Sequence, residues 1–144
     1  MTIGRICQRE VDLAEASECV IDASRRMREK GVGTLVVLDL DRRPAGIVTD
    51  RDITLRAVAD NVRLADTTVE QVMTAYPRTV SEDTPIEDSL SLMRVLGVRR
   101  LPVVDCDGRL AGIVSLDDIL SLIVEELRNV HGVLQKEMPR GMLV

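Results

Sequence analysis

Gly112-Ile113-Val114-Ser115-Leu116-Asp117-Asp118-Ile119 is the stretch that decides the fold. A glycine and two β-branched residues read as the end of a strand. From Leu116 the spacing turns helical: Leu116, Ile119, Leu120 and Ile123 recur at three and four. A strand therefore runs directly into a helix, with Ser115 at the N-cap and Asp118 one turn in. The plain reading is a capping box, Ser-x-x-Asp in place of Ser-x-x-Glu. The other reading is a ligand site. The free N–H groups of a helix start attract phosphate. A hydroxyl there can donate to a phosphate oxygen, and a carboxylate one turn on can accept from two vicinal sugar hydroxyls. Together they suit a ribose phosphate. One turn into a helix, alanine in place of Asp118 is expected to leave the fold intact.

A second copy favours the ligand reading. Gly46-Ile47-Val48-Thr49-Asp50-Arg51-Asp52-Ile53 has glycine, strand, hydroxyl and carboxylate at the same spacing, 66 positions earlier. The same offset aligns Asp22 with Asp88, Met27-Arg28 with Met93-Arg94, and Gly31-Val32 with Gly97-Val98. No gap is needed from Thr2/Thr68 to Val58/Val124. The chain is a tandem duplication, and any fold reading must start from the repeat.

Each repeat resembles a CBS motif, the module named after cystathionine β-synthase. The residues that carry the resemblance are Val-Arg-Arg-Leu-Pro-Val-Val-Asp at 98–105 and Gly-Arg-Leu-Ala-Gly-Ile-Val-Ser-Leu-Asp-Asp-Ile at 108–119. Their counterparts at 32–39 and 42–53, and Val-Met-Thr at 72–74, fit as well. The resemblance implies an α/β (α+β) fold: two tandem β-α-β-β-α repeats packed as one pseudo-two-fold module. Repeat 1 is set at residues 1–62 and repeat 2 at 68–128, with a C-terminal helix end and tail at 129–144. In the family a nucleotide lies in the cleft between repeats. Thr49 and Ser115 then contact phosphate and ribose, and Asp52 and Asp118 accept from ribose hydroxyls. The purine cage maps onto Val11 and Val32 for the cleft closed by Asp118, and onto Pro77 and Val98 for the cleft closed by Asp52. Family members usually associate through helices into a flat disc, so a homodimer is expected.

The residues themselves make the clefts unequal. Arg99 and Arg100 stand in the second repeat where Gly33 and Thr34 stand in the first. Guanidinium groups bind phosphate bidentately, so the Asp118 cleft should be the stronger phosphate site. The plain alternative is a solvated arginine pair. Arg51, which matches Asp117, is available to the other cleft.

Length and composition agree with a small binding module. The 144 residues suffice for one domain with a real core, and two such short repeats should bury their apolar faces on each other. Hydrophobic residues make up 45%, yet there is one Tyr and no Phe or Trp, so no aromatic platform awaits a base. A net charge of −5 argues against an electrostatic grip on nucleic acid. The N-terminus lacks an apolar signal region, and no apolar run is long enough to span a membrane. Three scattered cysteines and one histidine form no metal pattern, disulfide framework or nucleophile pair, which suits a reducing cytoplasm.

Along the chain, Ile3–Cys7 is a lead-in turn or helix and Val11–Ala14 a short strand. Val20–Lys30 is helical, stopped by Gly31. Thr34–Asp39 and Ala45–Val48 are strands, and Arg51–Ala59 is the closing helix. A polar link, 60–68, leads to Val69–Thr74, the counterpart of the lead-in, and Thr79-Val80 is a strand. Thr84, Pro85 and Glu87 mark N-cap, N1 and N3 of a helix running to Leu96, which Gly97 ends. Leu101–Asp105 and Ala111–Val114 pair as strands. The last helix runs from Leu116 to about Lys136, with His131 on its solvent side. Its apolar stripe, Ile119 to Leu134, either folds back on the core or makes a dimer contact. Residues 138–141 form a frayed end.

These readings converge on a regulatory, non-catalytic module that senses an adenine nucleotide (AMP, ADP, ATP or NAD(H)) without a metal. It would act as a cytoplasmic homodimer on an unidentified regulated protein. The alternatives are a structural dimerisation module with empty clefts, or an S-adenosylmethionine binder. S-adenosylmethionine brings no phosphate for Arg99 and Arg100.

Overall fold

In the computed structural model, which describes residues 1–137, the duplication is visible bond by bond. A 3-10 turn, Ile3–Arg5, precedes β1 (Leu13–Ala14), α1 (Val20–Lys30), β2 (Thr34–Leu38), β3 (Pro44–Thr49) and α2 (Asp50–Ile53). A second 3-10 turn, Leu64–Asp66, leads to α3 (Val69–Val72) and β4 (Thr74–Ala75). Then follow β5 (Val80–Ser81), α4 (Ile86–Leu96), β6 (Arg100–Val104), β7 (Leu110–Ser115) and α5 (Leu116–Glu137). The expected frayed end at 138–141 lies outside the described residues.

Two sheets result, ordered β1-β2-β3-β4 and β5-β6-β7. Within each, the first strand is parallel to the second and the next pair is antiparallel. Registers repeat across the duplication: Thr34 faces Thr49 and Leu35 faces Val48, while Arg100 faces Ser115 and Leu101 faces Val114. Helices α1 and α4 both end on a glycine with φ of 66°, Gly31 and Gly97, whose N–H groups bond to the carbonyls of Met27 and Met93. The left-handed conformation is cheap only without a side chain.

Each core contains residues from both repeats. One gathers Ala14, Val20, Ala23, Met27, Leu35, Val37, Val48 and Ile53 with Val69 and Val72. The other gathers Val80, Ile86, Met93, Leu101, Val103, Val114 and Ile119 with Ile3. The lead-in of each repeat therefore packs against the body of the other. Backbone bonds fix the exchange. Ile3 and Gly4 donate to the carbonyls of Thr84 and Glu82 at 2.9 and 2.8 Å; Val69 and Glu70 donate to those of Glu18 and Ala16 at 2.9 and 3.0 Å. Gln8 and Ile113 exchange two backbone bonds, the counterpart of the Thr74–Ile47 pairing that adds β4 to the first sheet. The two β-hairpin turns also touch: Leu110 donates to the Arg42 carbonyl at 2.9 Å, and Arg43 Nε to that of Asp107 at 3.2 Å.

Three details depart from the sequence reading. The closing helix of repeat 1 starts at Asp50 and widens into a π-helix over Thr54–Val58. Thr84 does not cap α4. Its hydroxyl accepts from the Ser81 N–H at 3.0 Å, a local turn bond that competes for the same oxygen, and Pro85 takes the cap position. In α5 only Ile119 is buried; Leu120, Ile123, Val124, Leu127, Val130 and Leu134 are 45 to 62% exposed. The stripe is therefore not folded back on the core.

The exchanged lead-ins run close to β3 and β7, where only glycine fits. A Cβ on Gly112 would stand 2.6 Å from the Gln8 carbonyl oxygen, and one on Gly46 would stand 2.2 Å from Met73 Sδ. A backbone carbonyl cannot move aside, whereas a methionine side chain repacks. Gly112→Ala should cost about 1–3 kcal/mol and Gly46→Ala clearly less. Urea unfolding of the two variants checks the order, and equal losses would show Met73 to be as fixed as backbone.

Candidate functional site

The two strand-to-helix junctions are built alike. At Thr49, the backbone N–H donates to Asp52 Oδ2 at 3.0 Å, and the Asp52 N–H donates to Thr49 Oγ1 at 3.1 Å. At Ser115 the corresponding distances are 2.8 and 3.1 Å, to Asp118 Oδ2 and from the Asp118 N–H. Both junctions are reciprocal capping boxes. A box uses one oxygen of each carboxylate and leaves Oδ1 pointing elsewhere. The four side chains are half-buried, so they remain open to a ligand.

What approaches Oδ1 differs between the junctions. Gln8, on the exchanged lead-in, donates its amide to Asp118 Oδ1 at 3.1 Å. At the other junction Arg56 Nη2 lies 3.7 Å from Asp52 Oδ1. Arg56 also donates to the Val72 carbonyl at 2.9 Å and reaches Thr74 Oγ1 at 3.4 Å. A neutral amide thus attends Asp118, and a cation attends Asp52. Sequence reasoning missed both residues. Arg56 was visible as the i+4 partner of Asp52. Gln8 is the counterpart of Thr74, but its nearness to Asp118 depends on the exchange.

The structure brings Arg99, Arg100 and Ser115 together. Arg100 faces Ser115 across the ladder, and the Arg99 carbonyl accepts from the Leu116 N–H at 2.8 Å. Arg99 Nη2 sits 3.6 Å from Asp117 Oδ1, both side chains well exposed, which is a weak surface pair. At the first junction Gly33 and Thr34 take these places, and the Asp50 N–H donates to the Gly33 carbonyl at 3.0 Å. Arg51 is exposed, and its N–H donates to Asp50 Oδ1 at 2.9 Å. Of the aliphatic candidates, Val11, Val32 and Pro77 are half-buried and Val98 is exposed. Val32 packs against the first core.

Cys7 lies beside Gln8. Burial pushes its thiol above the ordinary range; Arg9 opposes the shift, while Glu82 and Asp118 add to it. The group is therefore a protonated, poorly nucleophilic thiol at neutral pH. Among the described residues no group of three or more His, Cys, Asp or Glu is placed to hold a metal, and no helix is long and apolar enough to cross a membrane.

The Asp118 carboxylate accepts from a backbone N–H, so replacing it carries a stability cost that helix propensity alone does not count. Asp118→Ala should lose about 0.5–2 kcal/mol, the usual cost of a helix cap. Asp117→Ala, which breaks only the exposed pair, should stay within about 0.5 kcal/mol of the parent. Chemical denaturation separates them; equal stability of the two variants would show that the box carries no weight.

Comparison with known proteins follows the same two halves. The CBS domain family model matches residues 5–58 and 69–125. An uncharacterised protein of Methanopyrus kandleri is 32% identical over 122 residues, which is 85% of this chain and 62% of that protein, so the chain spans under two thirds of that relative. Among solved structures, a putative signal-transduction protein with CBS domains from Burkholderia ambifaria superposes with a TM-score of 0.80 at 33% identity, covering 87% of this chain and 95% of that one. The CBS domain pair of protein MJ0100, in complex with 5′-methylthioadenosine and S-adenosyl-L-methionine, has a TM-score of 0.78 at 26% identity and covers 88% and 98%. CBSX2 in complex with AMP has a TM-score of 0.75 at 26% identity and covers 86% and 97%.

Proposed function

The chain belongs to the CBS-domain family, matched in both halves, and from that premise we propose that it is a regulatory module binding an adenine nucleotide between its repeats. The observation that carries this reading is the doubled junction: a half-buried hydroxyl and carboxylate at Thr49/Asp52 and again at Ser115/Asp118, the second beside Arg99 and Arg100. Ribose hydroxyls would donate to Asp118 Oδ1, displacing the Gln8 amide. The exposed arginines would meet the phosphate. The complexes of CBSX2 with AMP and of MJ0100 with 5′-methylthioadenosine and S-adenosyl-L-methionine support a ligand with an adenine-ribose group, which is what those three compounds share. The nucleotide candidates are AMP, ADP, ATP and NAD(H), and the module's output is a change in shape or in affinity for a regulated protein.

Ligand that binds only the folded chain adds about 2.7 kcal/mol of stability at a hundredfold excess over Kd. Melting curves recorded with millimolar AMP, ATP, NAD and S-adenosylmethionine test the proposal. A clear upward shift with a phosphate-bearing ligand is expected, and curves unmoved by all four would overturn it.

The uncovered stripe on α5 supports association as well, and we read the working unit as a homodimer in contact through helices. Most helical stability in proteins comes from packing an amphipathic face against a neighbour, and the apolar face of α5 beyond Ile119 is exposed. Light scattering should give twice the chain mass, and Ile123→Asp should lower it toward one. A monomer in the parent protein would remove the dimer reading. It would also remove the alternative of a dimerisation module with empty clefts.

A further inference from the structure

The two junctions share a backbone and differ in charge where a ligand's 5′ end would lie. Beside Ser115 stand Arg100, which makes no ion pair among the described residues, and Arg99, loosely paired with Asp117. The helix there opens with the uncharged Leu116. Beside Thr49 the matching places hold Thr34, Gly33 and Asp50. The Asp50 carboxylate leans over Gly33: its Oδ2 lies 3.0 Å from where a Cβ on Gly33 would stand. The Arg51 N–H fixes its Oδ1 at 2.9 Å. Thr34, opposite Thr49 in the ladder and so on the same face, is 8% exposed, and its Oγ1 has no hydrogen-bond partner among the described residues. A buried hydroxyl left unpaired is costly and points to a missing partner.

We infer that the clefts select on the charge of the 5′ end: the Asp118 cleft takes a 5′-phosphorylated adenosine, and the Asp52 cleft takes an adenosine derivative whose 5′ end is neutral or cationic. This rests on the reading that the clefts bind adenosine ligands. The carboxylate of Asp50 repels a phosphate and accepts from an ammonium or hydroxyl. The unpaired Thr34 hydroxyl supplies a second polar contact for such a group. Asp50 is thus a specificity determinant, standing where repeat 2 has Leu116.

Calorimetric titration of the full chain with AMP and with 5′-amino-5′-deoxyadenosine, whose 5′ end is an ammonium, tests the assignment. AMP should bind at one equivalent per chain, and the AMP-saturated protein should still take up one equivalent of the amine. Asp50→Asn keeps the shape and removes the charge. A hydrogen bond to a charged group is commonly a tenfold to hundredfold effect on affinity, so this variant should weaken the amine at least tenfold and more than it weakens AMP. Arg100→Gln should show the reverse order, and Thr34→Val should weaken the amine. Two equivalents of AMP per chain would overturn the inference while leaving the nucleotide reading intact, Arg51 then serving phosphate in the Asp52 cleft. Amine binding that is indifferent to Asp50→Asn would overturn it as well. Binding of neither probe would overturn the inference, and the nucleotide reading would still be decided by the melting curves with all four ligands.

Discussion

Ile3 and Val69 hold corresponding places in opposite cores, each completely buried in the repeat it does not belong to by sequence. The rest of the structure depends on this reciprocal exchange. It adds β4 to the first sheet and the Gln8 bridge to the second. It brings the Gln8 carbonyl so close to β7 that Gly112 admits no side chain, and it lays the Met73 side chain over Gly46 in β3. It also sets Gln8 against Asp118, so a site formed by the end of one repeat is completed by the start of the other. The hydrophobic gain from burying two such side chains, about 1.5–3 kcal/mol each, is shared between halves and cannot be assigned to either.

Duplication preserved the backbone of the two sites and released their side chains. The capping boxes agree within 0.2 Å, from 3.0 against 2.8 Å at the first bond and 3.1 against 3.1 Å at the second. Around that frame the pairs Gly33 and Arg99, Asp50 and Leu116, and Arg56 and Leu122 differ in charge. The helix of repeat 1 turns to π geometry just where Arg56 reaches back to the lead-in carbonyl of Val72. Repeat 2 instead continues as one helix, with Leu122 packed against its core. The two capping boxes are thus alike, while the charges placed around them are not.

Most of the fold was legible because strong local signals agreed with the global structure. Helix α1 has the limits that periodicity and Gly31 predict, and both strand pairs follow from continuous apolar runs between turn residues. Local signals failed where two interactions compete for one group: Thr84 is a good N-cap by type, but the nearby Ser81 N–H takes its oxygen. The capping partners Thr49, Asp52, Ser115 and Asp118 were legible from spacing. Gln8 was not, because its contact spans 110 positions and exists only through the exchanged lead-in. No periodicity encodes which of the two cores a lead-in enters.

The exchange also constrains how such a chain could have arisen. A single repeat cut from this protein would carry an apolar lead-in with no body to receive it and a body whose core lacks its closing residue. Two copies of it would complete each other by trading lead-ins, as an obligate pair with no stable folded monomer. A half-length chain of this design would therefore be a dimer before it could be a domain. Joining two such copies in one chain replaces a concentration-dependent encounter with a tethered one. In such a fused chain the two junctions, no longer tied by symmetry, are free to differ, as Gly33 and Arg99 or Asp50 and Leu116 do.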